Sequence, residues 1–233
     1  MNYAVILMAG KGERFGGPLP KQFLNIGNKP LYLYTVETFA FHQDIDAILI
    51  VCEEMYKNRI QKDIVKFKIP KITTFITGGT TRQSSAFNAL IYLNAVGKEN
   101  DIVLIHDGDR PLVTSEIISN NIAAMQITDA AITAIPSANS LGISYDNQTI
   151  SSFPPRQQYY VIQTPQTFKL GLIYKAHVQA NQHINKMYYT DDGSIVLAYG
   201  KEVNIVRGST HNFKITTYDD FTLLKTLLRF KNQ

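Results

Sequence analysis

The chain has 233 residues, 45% of them hydrophobic and 18% charged, with a formal net charge of +4. That length and balance fit a globular protein able to bury a sizeable core, and they exclude a disordered or collagen-like chain. No segment is long and apolar enough to span a bilayer, and the lysines are scattered, without an arginine-rich tract, zinc-ligand spacing or an aromatic RNA-binding signature. Phosphorylated small molecules therefore account for the positive balance at least as well as nucleic acid or a membrane surface does. One domain over residues 1–233 is expected. The chain opens directly on a core-like apolar run with no basic flank, h-region or cleavage site, so no secretory leader is expected. The single Cys52 can form no internal disulfide, suits a reducing cytoplasm and reads as core rather than as a nucleophile.

The first predicted strand, residues 3–7, empties into Met8-Ala9-Gly10-Lys11-Gly12-Glu13-Arg14-Phe15-Gly16, followed by Pro20-Lys21-Gln22. Glycines let a backbone approach a ligand and turn amide N–H groups toward anionic oxygens, while Arg14 and Lys21 add fixed positive charge. Two familiar glycine signatures do not fit. Phe15 fills the third small position of a dinucleotide fingerprint, and neither Lys11 nor Lys21 is followed by the hydroxyl residue of a Walker A loop. Taken alone, the loop is equally a nucleotide grip and an ordinary strand-to-helix turn with surface cations.

Further strands are predicted at 47–51, 72–76, 102–105 and 130–135, alternating with helical patterns at 31–41, 57–66 (the weakest), 84–94 and 116–126. That alternation predicts α/β architecture with a mostly parallel, doubly wound sheet, in which ligands sit at the carboxyl ends of the strands. Two polar clusters fall at such ends. Gly78-Gly79-Thr80-Thr81-Arg82-Gln83-Ser84-Ser85 suits anion or base-edge hydrogen bonding at a helix start, and is also a good turn with an N-cap serine. His106-Asp107-Gly108-Asp109-Arg110-Pro111 places four ionisable groups at one strand end: a carboxylate there can meet a ribose hydroxyl or a metal–phosphate unit, and Arg110 can clamp a phosphate. After Pro136 the pattern changes. Residues 143–153 read as two short strands around Asp146-Asn147, the composition of a protruding β-hairpin arm that needs another surface to pack on. Helices are predicted at 168–180 and 219–230, and residues 212–217 read as the end of a strand.

The ordered series Ala9-Gly10-x-Gly12-x-Arg14, Pro20-Lys21-Gln22, Gly78-Gly79 with Arg82 and Ser85, His106-Asp107-x-x-Arg110-Pro111, Gln163-Thr164-Pro165-Gln166, Thr190-Asp191 and Asn212-x-Lys214-Ile215-Thr216 covers almost the whole chain. It resembles the cytidylyltransferase family of isoprenoid and teichoic-acid biosynthesis, whose members act on 2-C-methyl-D-erythritol 4-phosphate or D-ribitol 5-phosphate. The resemblance implies a Rossmann-like nucleotidyltransferase fold and a requirement for CTP and Mg²⁺. It also implies a homodimer in which the arm, at about 138–158, embraces the partner. By the same resemblance Ala9, Gly10, Gly12, Gly78, Arg82 and Ser85 bind the nucleotide, while Arg14 and Lys21 hold the triphosphate. Asp107, Arg110, Thr164, Thr190 and Lys214 meet the acceptor, and Arg156 on the arm reaches the partner's site. Arg14, Lys21, Lys214 and Arg156 are the residues given the catalytic work, with Mg²⁺ carried mainly by CTP phosphates and Asp107 as a further candidate ligand.

The chain departs from the methylerythritol pattern Pro-Val-x-Asp-Thr-x-Lys, carrying Pro136-Ser137-Ala138-Asn139-Ser140-Leu141-Gly142 instead. Together with Phe153-Pro154-Pro155-Arg156 and Gln166-Thr167-Phe168, this looks more like the ribitol type. Met8 and Asp109 are two further oddities within otherwise matching motifs. Two readings of other classes remain: a catalytically silent nucleotide-binding protein, which retention of Arg14, Lys21, Arg156 and Lys214 argues against, and a basic nucleic-acid-binding module.

Overall fold

A computed structural model describes residues 1–10, 12, 15, 19–182 and 189–231. In chain order it contains β1 (Asn2–Leu7), β2 (Asn25–Ile26), β3 (Lys29–Pro30), α1 (Leu31–Ala40), β4 (Ala47–Cys52), α2 (Glu54–Lys66), β5 (Ile72–Thr77) and α3 (Arg82–Val96). There follow β6 (Ile102–Asp107), α4 (Ser115–Ala124), β7 (Ala130–Pro136), β8 (Tyr160–Lys169), α5 (Leu170–Gln182), α6 (Asp192–Ala198), β9 (Asn204–Arg207) and α7 (Tyr218–Lys231). Strands β5-β4-β1-β6-β8-β7-β9 form one seven-stranded sheet. Only β8 runs against its neighbours; β1 pairs in parallel with both β4 and β6, and β7 with β9.

The central strands are apolar at nearly every position because both faces are covered. Along β1, Ala4 and Ile6 point into a core shared with Tyr32, Val36 and Phe39 of α1, Ile60 of α2 and Ile117 of α4. The alternate residues Tyr3 and Val5 meet Ala86, Ala89 and Leu90 of α3 and Ile173 of α5 on the other side. Chain order reverses at β1: the β4–β5 half lies on one side and β6 on the other, which opens a crevice at the carboxyl ends of β1 and β6. Among the described residues no helix is long and apolar enough to cross a membrane.

Three local expectations differ from the structure. The 168–180 helix begins only at Leu170, because Phe168 and Lys169 belong to β8, where Phe168 pairs with both Val103 and Ala130. The arm is not a pair of strands: Ile143 and Ser152 make a single antiparallel bridge. Its tip is organised instead by the Asp146 carboxylate, which accepts from the Gln148 and Thr149 N–H groups and from the Ser144 and Thr149 hydroxyls, so side-chain bonding displaces ladder pairing. Residues 212–217 form no strand either, since their backbone is used by side chains from elsewhere: Arg110 donates to the Asn212 carbonyl and Lys21 to that of Ile215.

A buried polar network ties the antiparallel strand to its neighbours. Asn121 of α4 donates to the Ile117 carbonyl and to Thr133 Oγ1 of β7, and accepts from Thr167 Oγ1 of β8, all at 2.9–3.0 Å. Thr133 in turn donates to the Pro165 carbonyl. Asn121→Ala strands the Thr167 hydroxyl in the core and removes the donor to Thr133, and is expected to lower unfolding stability by about 2–3 kcal/mol, read from urea denaturation at constant m value.

Candidate active site

The crevice between β1 and β6 is a cleft of about 840 Å³ whose lining includes Met8, Ala9, Gly10, Gly12, Lys21, Gly78, Arg82, Ser85, Asp107, Asp109 and Lys214. One wall is built by two loops in contact. Gln22 fastens the first, donating from Nε2 to the carbonyls of Met8 (2.8 Å) and Gly10 (2.9 Å). The second carries Gly78 against Ala9 so closely that an added Cβ would stand 2.2 Å from the Ala9 methyl, so only glycine fits there. Thr81, rather than a serine, caps α3 through a reciprocal capping box with Ser84, while the Ser85 hydroxyl receives the Gly79 N–H at 3.0 Å. The amino end of α3, with Arg82 as its first residue, thus faces the cleft and favours negative charge.

The opposite wall is organised around Asp107. Its Oδ1 accepts from Arg82 Nε at 3.1 Å, and its Oδ2 lies 3.0 Å from Lys214 Nζ and 3.5 Å from Arg110 Nε. Burial opposes ionisation here, but Arg82, Lys214 and Arg110 outweigh it and hold Asp107 well below the usual carboxylate range. Arg82 also reaches Asp192, the first residue of α6, at 2.7 Å, and His177 approaches the other oxygen of that carboxylate at 3.1 Å. Burial pulls the Arg82 guanidinium toward neutrality, yet Asp192 and Asp107 more than compensate and raise its pKa.

A chain of hydrogen bonds holds Asp107 from behind. The Asp107 N–H donates to Thr164 Oγ1 (3.1 Å), Thr164 Oγ1 contacts His106 Nδ1 (3.0 Å), and His106 Nε2 contacts the Arg110 carbonyl (3.3 Å). A carbonyl can only accept, so His106 carries its proton on Nε2, and the threonine hydroxyl donates to Nδ1. Burial pushes this imidazole down to about 3.

The residues expected at the site divide accordingly. Ala9, Gly10, Gly12, Lys21, Gly78, Arg82, Ser85, Asp107 and Lys214 come together around the cleft. Arg110 is drawn inward onto Asp107 and the Asn212 carbonyl. Thr164 is buried behind Asp107, its hydroxyl committed to that relay rather than facing an acceptor. Thr190 borders a small pocket beside Arg82, Asp191 and Asp192, away from the main cleft. Arg156 stands exposed on the arm, donating to the Ala138 carbonyl at 3.3 Å, and is outside the cleft of its own chain. Arg14 lies outside the described residues. Cys52 is core, its thiol pushed up by burial to about 11.

Sequence reasoning gave no role to Gln22, Asp192 or His177. The first stood in the quoted Pro20-Lys21-Gln22 and the second beside an ordinary helix cap, Asp191; nothing around His177 in the chain pointed to it.

What the fold and cleft define is a nucleotidyltransferase-like α/β enzyme: a glycine-lined cleft that also carries Lys21, Arg82 and Lys214, with no nucleophile–base pair among the lining residues. The family model described as "IspD: 2-C-methyl-D-erythritol 4-phosphate cytidylyltransferase" matches residues 2–230. The chain is 41% identical over 224 residues to the 2-C-methyl-D-erythritol 4-phosphate cytidylyltransferase of Thermosipho melanesiensis, with 96% of each chain covered. It is 37% identical over 232 residues to the ribitol-5-phosphate cytidylyltransferase of Vibrio parahaemolyticus, covering 98% of this chain and 96% of that one. The crystal structure of 4-diphosphocytidyl-2C-methyl-D-erythritol synthase from Anaerococcus prevotii superposes with a TM-score of 0.85 at 29% identity, covering 98% and 96% of the two chains. The chain belongs to the IspD cytidylyltransferase family and is a CTP-dependent nucleotidyltransferase.

The His106 relay makes a pH prediction. Below about 6.5 the unfolded chain's imidazole gains a proton that the folded chain refuses down to about 3, so stability falls with pH across that window, by at most about 1.4 kcal/mol per unit. Asp107 and Asp192 have depressed values, so their contribution is intact above about pH 4 and is lost only in stronger acid. Denaturation midpoints measured from pH 7 to pH 4.5 should flatten in His106→Asn, which keeps an acceptor for Thr164, while the loss below pH 4 persists.

Proposed function

We propose that this enzyme transfers CMP from CTP to a polyol phosphate, D-ribitol 5-phosphate in particular, forming CDP-ribitol and pyrophosphate. The observation that carries the transfer reading is the convergence on one cleft of cations from separate segments, Lys21 after β1, Arg82 at the start of α3 and Lys214 before α7, with Arg110 after β6 joined to the same site through Asp107. An acceptor phosphate already carries its nucleophilic oxygen, so no general base is needed. That oxygen bonds to the α-phosphorus of CTP as the bond to the β-phosphate oxygen breaks and pyrophosphate leaves. The enzyme's task is to align two polyanions and offset the charge gathering on the phosphoryl group in flight.

In this reading Ala9, Gly10, Gly12, Gly78, Arg82 and Ser85 hold the nucleotide, Lys21 with Arg14 its triphosphate, and Lys214 the acceptor phosphate, with Asp107 turned to acceptor hydroxyls and held there by Arg110. Among the described residues no group of three or more His, Cys, Asp or Glu side chains could hold a metal, and Asp107 already serves three cations. Mg²⁺ therefore fits this site as an ion carried by the triphosphate, where it neutralises oxygen charge.

The ribitol assignment is supported by Asn139, Ser140 and Gly142 in the 136–142 segment, where the methylerythritol pattern has Asp, Thr and Lys. The methylerythritol reading is favoured by the 41% identity to the Thermosipho enzyme. Pyrophosphate release from CTP and Mg²⁺ with each acceptor separates them. Ribitol 5-phosphate is expected to give the highest kcat/KM; a higher value with methylerythritol 4-phosphate reverses the choice, and no release with any polyol phosphate removes the transferase proposal.

The arm exposes Tyr145, Ile150 and Phe153, and the adjoining start of β8 exposes Tyr160, Val161 and Ile162. We propose that a second copy covers this apolar surface and receives Arg156 in its cleft. Lys21→Ala and Arg156→Ala are each expected to lower turnover by at least about a hundredfold. Dissociated, mixed and reassociated, the two variants should recover about a quarter of wild-type activity, because each heterodimer holds one site with both residues intact. No recovery means that Arg156 serves its own chain or no site at all.

A further inference from the structure

Asp109 is unexplained by the transfer chemistry, since a carboxylate inside a cleft built for phosphates repels what should bind there. The structure gives it a specific partner. Lys21 is buried, and its ammonium has three N–H donors. One meets the Ile215 carbonyl at 2.5 Å and a second meets Asp109 Oδ2 at 2.6 Å, which leaves one for the cleft. The two acceptors are themselves tied together, because the Ile215 N–H donates to the Asp109 carbonyl at 2.9 Å. The lysine stem has four flexible carbons, and free rotation would disperse its charge over many positions. Held by two linked acceptors, it presents a single aimed donor. The other carboxylate oxygen, Oδ1, is buried without a hydrogen-bond partner and lies 3.9 Å from Lys214 Nζ, so Asp109 also screens two lysines that would otherwise repel each other.

We propose that Asp109 is a positioning residue: it aims Lys21 at the transferring phosphoryl group, at a cost in electrostatic affinity for CTP. The proposal rests on the reading of Lys21 as a triphosphate cation. Its two consequences have opposite signs. Removing the carboxylate strengthens the attraction of the cleft for a polyanion, and releasing the ammonium weakens stabilisation that exists only in the transition state.

Asp109→Ala should therefore bind CTP about three- to tenfold more tightly by calorimetry while kcat falls about ten- to a hundredfold. Asp109→Asn keeps an amide oxygen for Lys21 but loses the charge, so it should gain comparable affinity with a kcat loss of at most about fivefold. A role limited to stability would move neither value in this way, and thermal midpoints measured alongside identify a variant that fails to fold. Unchanged or weaker CTP binding in folded Asp109→Ala or Asp109→Asn overturns the proposal, as does an undiminished kcat in the alanine variant. If the wild type turns over no polyol phosphate, the transferase reading fails by that assay and the aiming role fails with it, whereas unchanged or weaker CTP binding in a folded variant overturns the Asp109 proposal alone.

Discussion

The site depends on one buried carboxylate. Asp107 ends β6 beneath the cleft, and moving its charge out of water is unfavourable unless cations follow it. Three do, and each arrives from a different part of the chain: Arg82 from the start of α3, Arg110 from the turn after β6, and Lys214 from the segment before α7. The requirement to neutralise one group thus draws three segments to a common point and leaves their remaining charge at the edge of the cleft. Arg82 extends the arrangement through Asp192 to His177, linking the start of α3 to α6 and α5.

The same constraint suits the chemistry of the family. Transfer from a nucleoside triphosphate to a phosphate monoester is limited by alignment and charge rather than by proton removal. An arginine already bonded on two edges and a lysine bonded to two acceptors have little left to reorganise when charge develops nearby. The glycine contact between the loops at Ala9 and Gly78 brings their backbones together where a side chain at 78 would force them apart.

Much of the fold was legible because buried parallel strands are continuous apolar runs, as β1, β4 and β6 are; β7 is nearly so, and the edge strand β5, only partly buried, was legible from its β-branched and aromatic residues. Of the strands that escaped, β8 is the longest, polar at its centre yet buried, with Gln163, Thr164, Gln166 and Thr167 all nearly inaccessible. Those side chains are satisfied by partners distant in the sequence: Ser209 for Gln163, His106 for Thr164, the Gly193 N–H for Gln166 and Asn121 for Thr167. No periodicity can announce a strand whose burial depends on polar groups that only the folded chain brings near. The arm misled for the opposite reason: its pattern was right for a hairpin, but Asp146 captured the N–H groups at the tip.

By itself, the sequence determined the alternation of strand and helix, the polar clusters at strand ends and the family they spell. These are properties of residue type and local spacing, which act over one or two turns of chain. Only the tertiary structure decided which charges pair, because those partners are far apart in sequence: Arg82 with Asp192 across 110 positions, Lys214 with Asp107 across 107, and Lys21 with the Ile215 carbonyl across 194. It therefore also decided that Thr164 stands behind the site and that Asp109 faces Lys21. A contact of that kind is set by where the sheet carries its strand ends, and local spacing holds no record of it.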